Sequence, residues 1–426
     1  MSEPHDLIVC GAGSAGAALA WMAASRGLRV LVLERRTLDR AGASWINDVP
    51  GWMFDTARIA RPAGEELIAT HAITLVAGFD VDAPRLTIRP KDFLGVDMRR
   101  LVDRLQESAM RAGAELRGGE HVQQIDHRAG EVVVTTGRGK FTARTLVDAS
   151  GLTGIEALGK MHGTVRDVCA AAQEIYRIRD AREASAFFDR YRASEGDVTV
   201  FTGVAGGYSI VNVRRHDDRV FLLTGSVPAD GVPSGKQLLD DFVGAHKWIG
   251  ERERGGARAI PLSYARPTLV RGRLAAIGDA ASQVFSAHGS GVGAGLVAAR
   301  MVDDALARGD LGSYQRAWQK RYGLLFATND LFRRLTQSLA PEELRAMIGE
   351  GVLGASTLEA ELAQRFPPID RSLLEAGRGL RKHPVLARKL VRVTAKIAQI
   401  AALYALVPEE GAKQDAWAER VHAAMR

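Results

Sequence analysis

Asp6–Arg36 reads DLIVCGAGSAGAALAWMAASRGLRVLVLERR, and its spacing predicts a strand, a tight turn, a helix and a second strand. Leu7 to Cys10 is an apolar run of strand length that stops at Gly11-Ala12-Gly13-Ser14-Ala15-Gly16, a G-x-G-x-x-G turn. Gly11 allows the sharp turn, Gly13 lets backbone N–H groups approach a pyrophosphate at the positive end of the helix, and Gly16 lets helix and strand pack closely. The helix runs to about Arg26, where Gly27 is placed to close it in a left-handed conformation. Arg29 to Leu33 is a second buried strand ending on Glu34. That acid stands roughly 20 residues past the turn, where this fingerprint puts the carboxylate that accepts from a ribose 2′-OH. It would repel a 2′-phosphate, so the expected ligand is an adenine dinucleotide, FAD or NAD, and not NADP at this site.

The chain has 426 residues, of which 46% are hydrophobic, with a formal charge of +7. Such a length suggests two or three domains, and the composition is that of an ordinary globular protein. The positive charge is spread along the chain as arginine, which reads mainly as solvated surface, and no nucleic-acid module is recognisable. Cys10 and Cys169 both sit in apolar runs, so neither a disulfide framework nor a metal site is expected, and a reducing, cytoplasmic setting fits. No leader and no run of about 18 apolar residues is found. The sequence specifies no oligomeric state.

After Glu34, Arg40 to Pro50 and the following Gly51-Trp52-Met53-Phe54 read as a loop with large apolar side chains. Leu86 to Pro90 reads as a short strand, Gly95 to Gly113 as an amphipathic helix and Ala114 to Leu116 as a strand. His121 to His127, Glu131 to Thr136 and Lys140 to Ala143, with Arg128-Ala129-Gly130 in the first turn, form an expected antiparallel meander. Thr145 to Asp148 is a further strand. Val198 to Thr202, Tyr208 to Arg214 and Val220 to Gly225 then indicate a second, antiparallel sheet with one face available to a ligand. Gln237 to Ala245 reads as a helix and Arg258 to Leu262 as a strand. Arg273 to Ile277 is a buried strand before Gly278-Asp279, and a helix follows Gly289 to Gly293. Beyond Ser313 the chain reads as helical, apart from loops near Gly349 to Ser356 and Phe366 to Asp370.

Three ordered blocks, Gly11 to Glu34, LVDASG at Leu146 to Gly151 and GDAASQVFSAHGSGVG at Gly278 to Gly293, resemble the FAD-dependent superfamily of geranylgeranyl reductases, flavin-dependent halogenases and aromatic hydroxylases of the p-hydroxybenzoate hydroxylase kind. The resemblance covers roughly residues 5–325. It implies an α/β fold: a Rossmann-type FAD-binding domain (parallel sheet with β-meander), an antiparallel-sheet substrate domain and a helical C-terminal region. The expected boundaries are 1–155 and 272–325 for the FAD domain, 156–271 for the substrate domain, to which 72–94 would contribute, and 326–426 for the helical region. It implies non-covalent FAD held by Gly11, Gly13, Ser14, Ala15, Gly16, Glu34, Arg35, Asp148, Gly278, Asp279, Gly289, Ser290, Gly291, Val292 and Gly293. Asp279 would accept from the ribityl hydroxyls, and the N–H groups of the Gly289 turn would face the flavin edge that becomes negative on reduction. The superfamily's arginine aligns with Met98, so Arg99 or Arg100 is expected in its place. The tryptophans of the halogenases are absent at Gly207 to Val213.

The expected function is an FAD-dependent oxidoreductase acting on a hydrophobic small molecule, with alkene reduction as the leading chemistry. Hydroxylation or epoxidation, halogenation, and flavin binding without catalysis are the alternatives. No second G-x-G-x-x-G is found, so NAD(P)H or another electron donor would bind transiently. Trp52 and Tyr208 are candidates for substrate contact. His288, just before the Gly289 turn, is a candidate to give a proton to substrate or to oppose charge on the reduced ring. Arg381 to Lys396, before the apolar Ile397 to Val407, are expected either to form a solvated face or to reach a membrane surface.

Overall fold

The computed structural model describes residues 4–128, 130–368, 377, 379–409 and 412–426; Ala129 of the first meander turn and the last part of the Phe366 to Asp370 loop lie outside them. The first sheet has eight strands, and its parallel core runs, in spatial order, Leu274–Ala276, Gly139–Asp148, His5–Cys10, Val30–Glu34 and Glu115–Gly118. Cys10 stands beside both Asp148 and Leu33, and Asp148 beside Ala276. The four chain segments that leave these strands therefore converge at one carboxyl edge, where open α/β sheets bind their ligands. Helices Ser14–Ser25, Met98–Arg111 and Val292–Ala307 cover the sheet, and Leu19, Leu101, Leu105 and Leu296 are buried with Ile8, Leu31 and Val147.

The second sheet has seven strands, in the order Ile249–Pro261, Val168–Ile178, Arg219–Ser226, Ser209–His216, Val198–Thr202, Ile73–Ala77 and Arg85–Ile88. Its pairs are antiparallel except Val198–Thr202 with Ile73–Ala77, which is parallel. Side chains alternate across a strand, so each strand divides its residues between two faces. Val76, Phe201, Val211, Val213, Val220 and Leu222 face one core with Phe187, Phe188, Leu239, Phe242 and Trp248. The other face carries Leu75, Val200, Ile210, Asn212 and Leu223, and it looks into a cavity.

Several local expectations need correction. Gly51-Trp52-Met53-Phe54 is not a loop but the start of the helix Gly51–Ala57, whose Met53, Phe54 and Ala57 are buried. Part of the preceding stretch is a strand, Ile46–Pro50, paired with Phe93–Asp97. For the same reason the next helix starts at Met98 and not at Gly95, with the Asp97 carboxylate accepting from the backbone N–H groups of Arg99 and Arg100. Lys140 to Ala143 and Thr145 to Asp148 are one strand, Gly139–Asp148, that changes partner along its length: Ala143 still faces Val132 of the meander, while Leu146 to Asp148 pair with Leu274 to Ala276. The long strand Val168–Ile178, beside the edge strand Ile249–Pro261 of the second sheet, had only Cys169 to mark it in sequence.

Candidate active site: a cofactor crevice and an apolar cavity that share a wall

A crevice of about 380 Å³ opens at the carboxyl edge of the parallel sheet. Gly11, Gly13, Ser14, Ala15, Glu34, Arg35, Gly278, Asp279, Gly289, Gly291 and Val292 line it, all of them expected cofactor residues. Two helices point their N-termini here. Neither Ser14–Ser25, which follows Gly13, nor Val292–Ala307, which follows Gly291, has a side-chain cap or an acid in its first turn. Their leading N–H groups are thus left for a ligand, one pair suited to a pyrophosphate and the other to the electron-rich edge of a reduced flavin. Burial pushes the Asp279 carboxyl above its usual range, with Arg258 opposing, and polyol hydroxyls are the donors such an acceptor needs. The residues present fit FAD. When bound, FAD would supply two-electron transfer chemistry to this crevice.

Glu34 has a second role, and the expected contacts not yet named are placed elsewhere. The Glu34 carboxylate accepts from Ala12 N–H at 2.9 Å and from Arg36 N–H at 3.0 Å, so it ties the glycine-rich turn to the second strand as well as facing the crevice. Gly16 and Gly293 do not line the crevice; both are close-packing positions, where a Cβ would stand 2.0 Å from the Gly11 carbonyl oxygen and 2.2 Å from the Met53 sulfur, respectively. Asp148 lies beneath the Ala149–Ser150 turn, accepting from Ser150 N–H at 3.0 Å and Ala157 N–H at 3.1 Å. Arg99 donates to the carbonyls of Asp39 and Ala41 and pairs with Asp103, and Arg100 pairs with Glu65, so neither takes the arginine's part in the crevice. Met98 does line it. Besides Arg35 and Arg36, which follow Glu34, an arginine from the second sheet reaches the crevice: Arg258, held by the Gly42 carbonyl. Its strand was recognisable in sequence, but nothing local tied it to the cofactor.

Beside the crevice lies an apolar cavity of about 350 Å³, roofed by the helices Leu324–Gln337 and Ala355–Leu362 and floored by the second sheet. Asn47 lines both spaces, and the 288–291 turn divides them, with Gly289 and Gly291 on the crevice and His288 and Ser290 on the cavity. Polar groups are few and mostly held. Arg214 donates to both oxygens of Asp48, at 2.9 and 2.8 Å, and the Gln173 amide is locked on the backbone of Ile46 at 2.6 and 2.9 Å. Among the described residues, Arg214 Nη1, Asn212 Oδ1, Thr328 Oγ1 and His288 Nε2 are buried without a hydrogen-bond partner.

His288 lies against Phe285, with ring centroids 5.0 Å apart. Burial brings its imidazole down to about 4, against the opposing pull of the Glu361 backbone and of Asp48. That shift favours the neutral imidazole near pH 7, which argues against the expected imidazolium that gives a proton or opposes charge on the reduced ring. Trp52 does not line the cavity; its Nε1 donates to the Ala363 carbonyl at 2.9 Å and Arg365 lies over its ring, which fastens the C-terminal helices to the Gly51–Ala57 helix. Tyr208 is buried behind the Gly289 turn, its hydroxyl 3.8 Å from where a Gly289 Cβ would stand. Glu361, on the cavity wall, was missed in the sequence.

Residues 6–74 match the FAD dependent oxidoreductase family. The digeranylgeranylglycerophospholipid reductase of Sulfolobus acidocaldarius is 23% identical, over 98% of this chain and 96% of that protein. The menaquinone reductase of Mycolicibacterium smegmatis is 25% identical, over 84% and 90%. Among solved structures, a geranylgeranyl bacteriochlorophyll reductase-like protein from Thermoplasma acidophilum superposes with a TM-score of 0.69 at 16% identity, covering 92% of this chain and 99% of that one. Residues 6–74 thus carry the match to FAD-dependent oxidoreductases, and the likeness to geranylgeranyl-type reductases extends over most of the chain. The protein is an enzyme, with the reductases as its relatives over most of its length.

Proposed function

We propose that the protein reduces carbon–carbon double bonds in a long-chain, polyprenyl-like molecule, using non-covalent FAD recharged by NAD(P)H or another donor. One observation carries this reading: the apolar cavity meets the cofactor crevice at Asn47 and the 288–291 turn. A molecule filling it would be nearly all hydrocarbon, because Asp48 and Arg214 neutralise each other. The names of the relatives point to the same class of substrate. The test is anaerobic incubation of dithionite-reduced protein with geranylgeranyl diphosphate, a digeranylgeranylglycerophospholipid or menaquinone. Products heavier by two hydrogens per reduced bond are expected. A product that forms only in air and gains oxygen would instead make the enzyme a monooxygenase.

Val200 stands on the cavity face in mid-strand. Val200→Trp is expected to fill the cavity and lower polyprenyl turnover at least tenfold, at an overpacking cost of roughly 1–3 kcal/mol. The FAD-to-protein absorbance ratio should stay at the wild-type value, and unchanged turnover would place the substrate elsewhere.

No helix among the described residues is long and apolar enough to cross a membrane. We infer a peripheral contact instead. Arg365, Phe366 and Leu390 line the cavity, Phe366 and Val391 are exposed, and Arg388, Lys389, Arg392 and Lys396 lie on the helix Pro384–Tyr404. Such a rim suits extraction of a lipid from an anionic surface. Co-sedimentation with anionic but not neutral vesicles, weakened by salt, is the expected result.

A further inference from the structure

The cavity needs a proton source. Reduction of an alkene takes a hydride and a proton, and most polar groups on these walls cannot give one. Among the described residues, the charged and titratable groups that face the cavity are Asp48 on Ile46–Pro50, Arg214 on Ser209–His216, His288 on the turn before Val292–Ala307, and Glu361 and Arg365 at and just after the end of Ala355–Leu362. Asp48 and Arg214 are bound to each other, Arg365 lies over Trp52, and the His288 imidazole carries no extra proton near neutrality. Glu361 is left.

Its position is set by two landmarks at the cofactor end of the cavity. The backbone of Glu361 is near enough to His288 to favour the imidazole's proton, and its carboxyl is felt by the Tyr208 hydroxyl behind the Gly289 turn. The bond from Trp52 to Ala363 holds the end of this helix against the flavin side of the molecule. Glu361 is half-buried on the cavity wall; among the described residues no hydrogen bond or ion pair reaches its carboxyl, and partial desolvation there pushes it up to about 7.

We propose that Glu361 is the catalytic acid, delivering its carboxyl proton to an alkene carbon of a substrate held in the cavity. This inference rests on the functional reading above. The O–H bond of the carboxyl breaks as a C–H bond forms on one alkene carbon, and the other carbon takes hydride, with its electron pair, from a donor of the dihydroflavin class. Glu361 is left as the carboxylate and regains a proton from water at the rim near Phe366. Acids that an apolar wall holds protonated near the working pH suit this task. His288, neutral and unpartnered at Nε2, is a positioning residue that can accept from the acid or the substrate.

The test compares wild type, E361Q and E361D, each checked for FAD content. The infrared difference spectrum of wild type minus E361Q is expected to show a protonated carboxyl band at pH 6 that is lost with a midpoint near 7. With the three polyprenyl probes, wild-type kcat should fall above the same midpoint. E361Q should lose about a hundredfold in kcat, with KM little changed, and should lose the alkaline limb. E361D should retain that limb at reduced kcat, which separates loss of the acid from loss of fold. An active wild type whose E361Q variant keeps both kcat and the alkaline limb, or whose carboxyl is ionised already at pH 6, overturns the proposal. Failure of the functional reading looks different: wild type that holds FAD would then reduce none of the probes at any pH, and both readings fall.

Discussion

Gly16→Val is expected to yield protein without FAD and less stable by roughly 3 kcal/mol or more. A Cβ at Gly16 would stand 2.0 Å from the Gly11 carbonyl oxygen and 3.2 Å from the Ala149 Cβ. The first contact is with backbone, so no side-chain rotation relieves it, and the turn itself must move. The gain in helix propensity on replacing glycine, about 1 kcal/mol or less, is too small to offset this. Displacing the turn separates Ala12 N–H from the Glu34 carboxylate and shifts the Ser14–Ser25 helix end that faces the crevice. Gly13 differs: its Cβ would meet only the Gly42 backbone, at 3.3 Å. Gly13→Ala should therefore lower FAD affinity while keeping the fold. The flavin-to-protein absorbance ratio and guanidinium unfolding check both, and a Gly16→Val protein with full FAD would refute the packing role.

The cofactor half of the site was legible because its parts are local in sequence. Gly11 to Glu34 is one strand–turn–helix–strand unit, and Gly278, Asp279 and the 289–293 turn all lie within one stretch, 278–293. Of the cavity half, the floor was legible as a sheet with a face free for a ligand, but its polar groups and roof were not. Asp48 and Arg214 meet across the fold, and Glu361 arrives on a helix eight residues long in a region that reads only as helical. Arg258 shows the same limit, since a charged residue on a strand reads as solvated until the sheet is placed against Asp279 and Gly42. Trp52 and Tyr208 erred in the opposite direction. Large aromatic side chains near a predicted cofactor attract a functional reading, yet here one is a fastener and the other is packed behind a turn.

E361Q is also expected to gain stability over wild type as pH rises, although it loses activity. The Glu361 carboxyl titrates near 7 in the folded protein, above its ordinary value of 4.5. Below about 4.5 both folded and unfolded chains hold the proton, and no stability is lost. Between 4.5 and 7 the unfolded chain releases its proton while the folded one keeps it, so wild-type stability falls with rising pH. Above 7 the loss is complete, and at 1.36 kcal/mol per pKa unit it comes to as much as about 3 kcal/mol. Water in the cavity would reduce that figure by solvating the carboxylate. His288 slopes the other way: its value, lowered from 6.5 to about 4, gives stability that is present above 6.5 and lost as pH falls towards 4. The two groups oppose each other over much of the same window, so wild type alone would show a flattened profile. Chemical unfolding of E361Q and wild type at pH 4.5 and 8.5 isolates the acid, with near-equal stability at the first and a clear E361Q advantage at the second. Parallel profiles would mean that the carboxyl is solvated and ionises as an ordinary glutamate, which would also deprive it of the proton that catalysis requires.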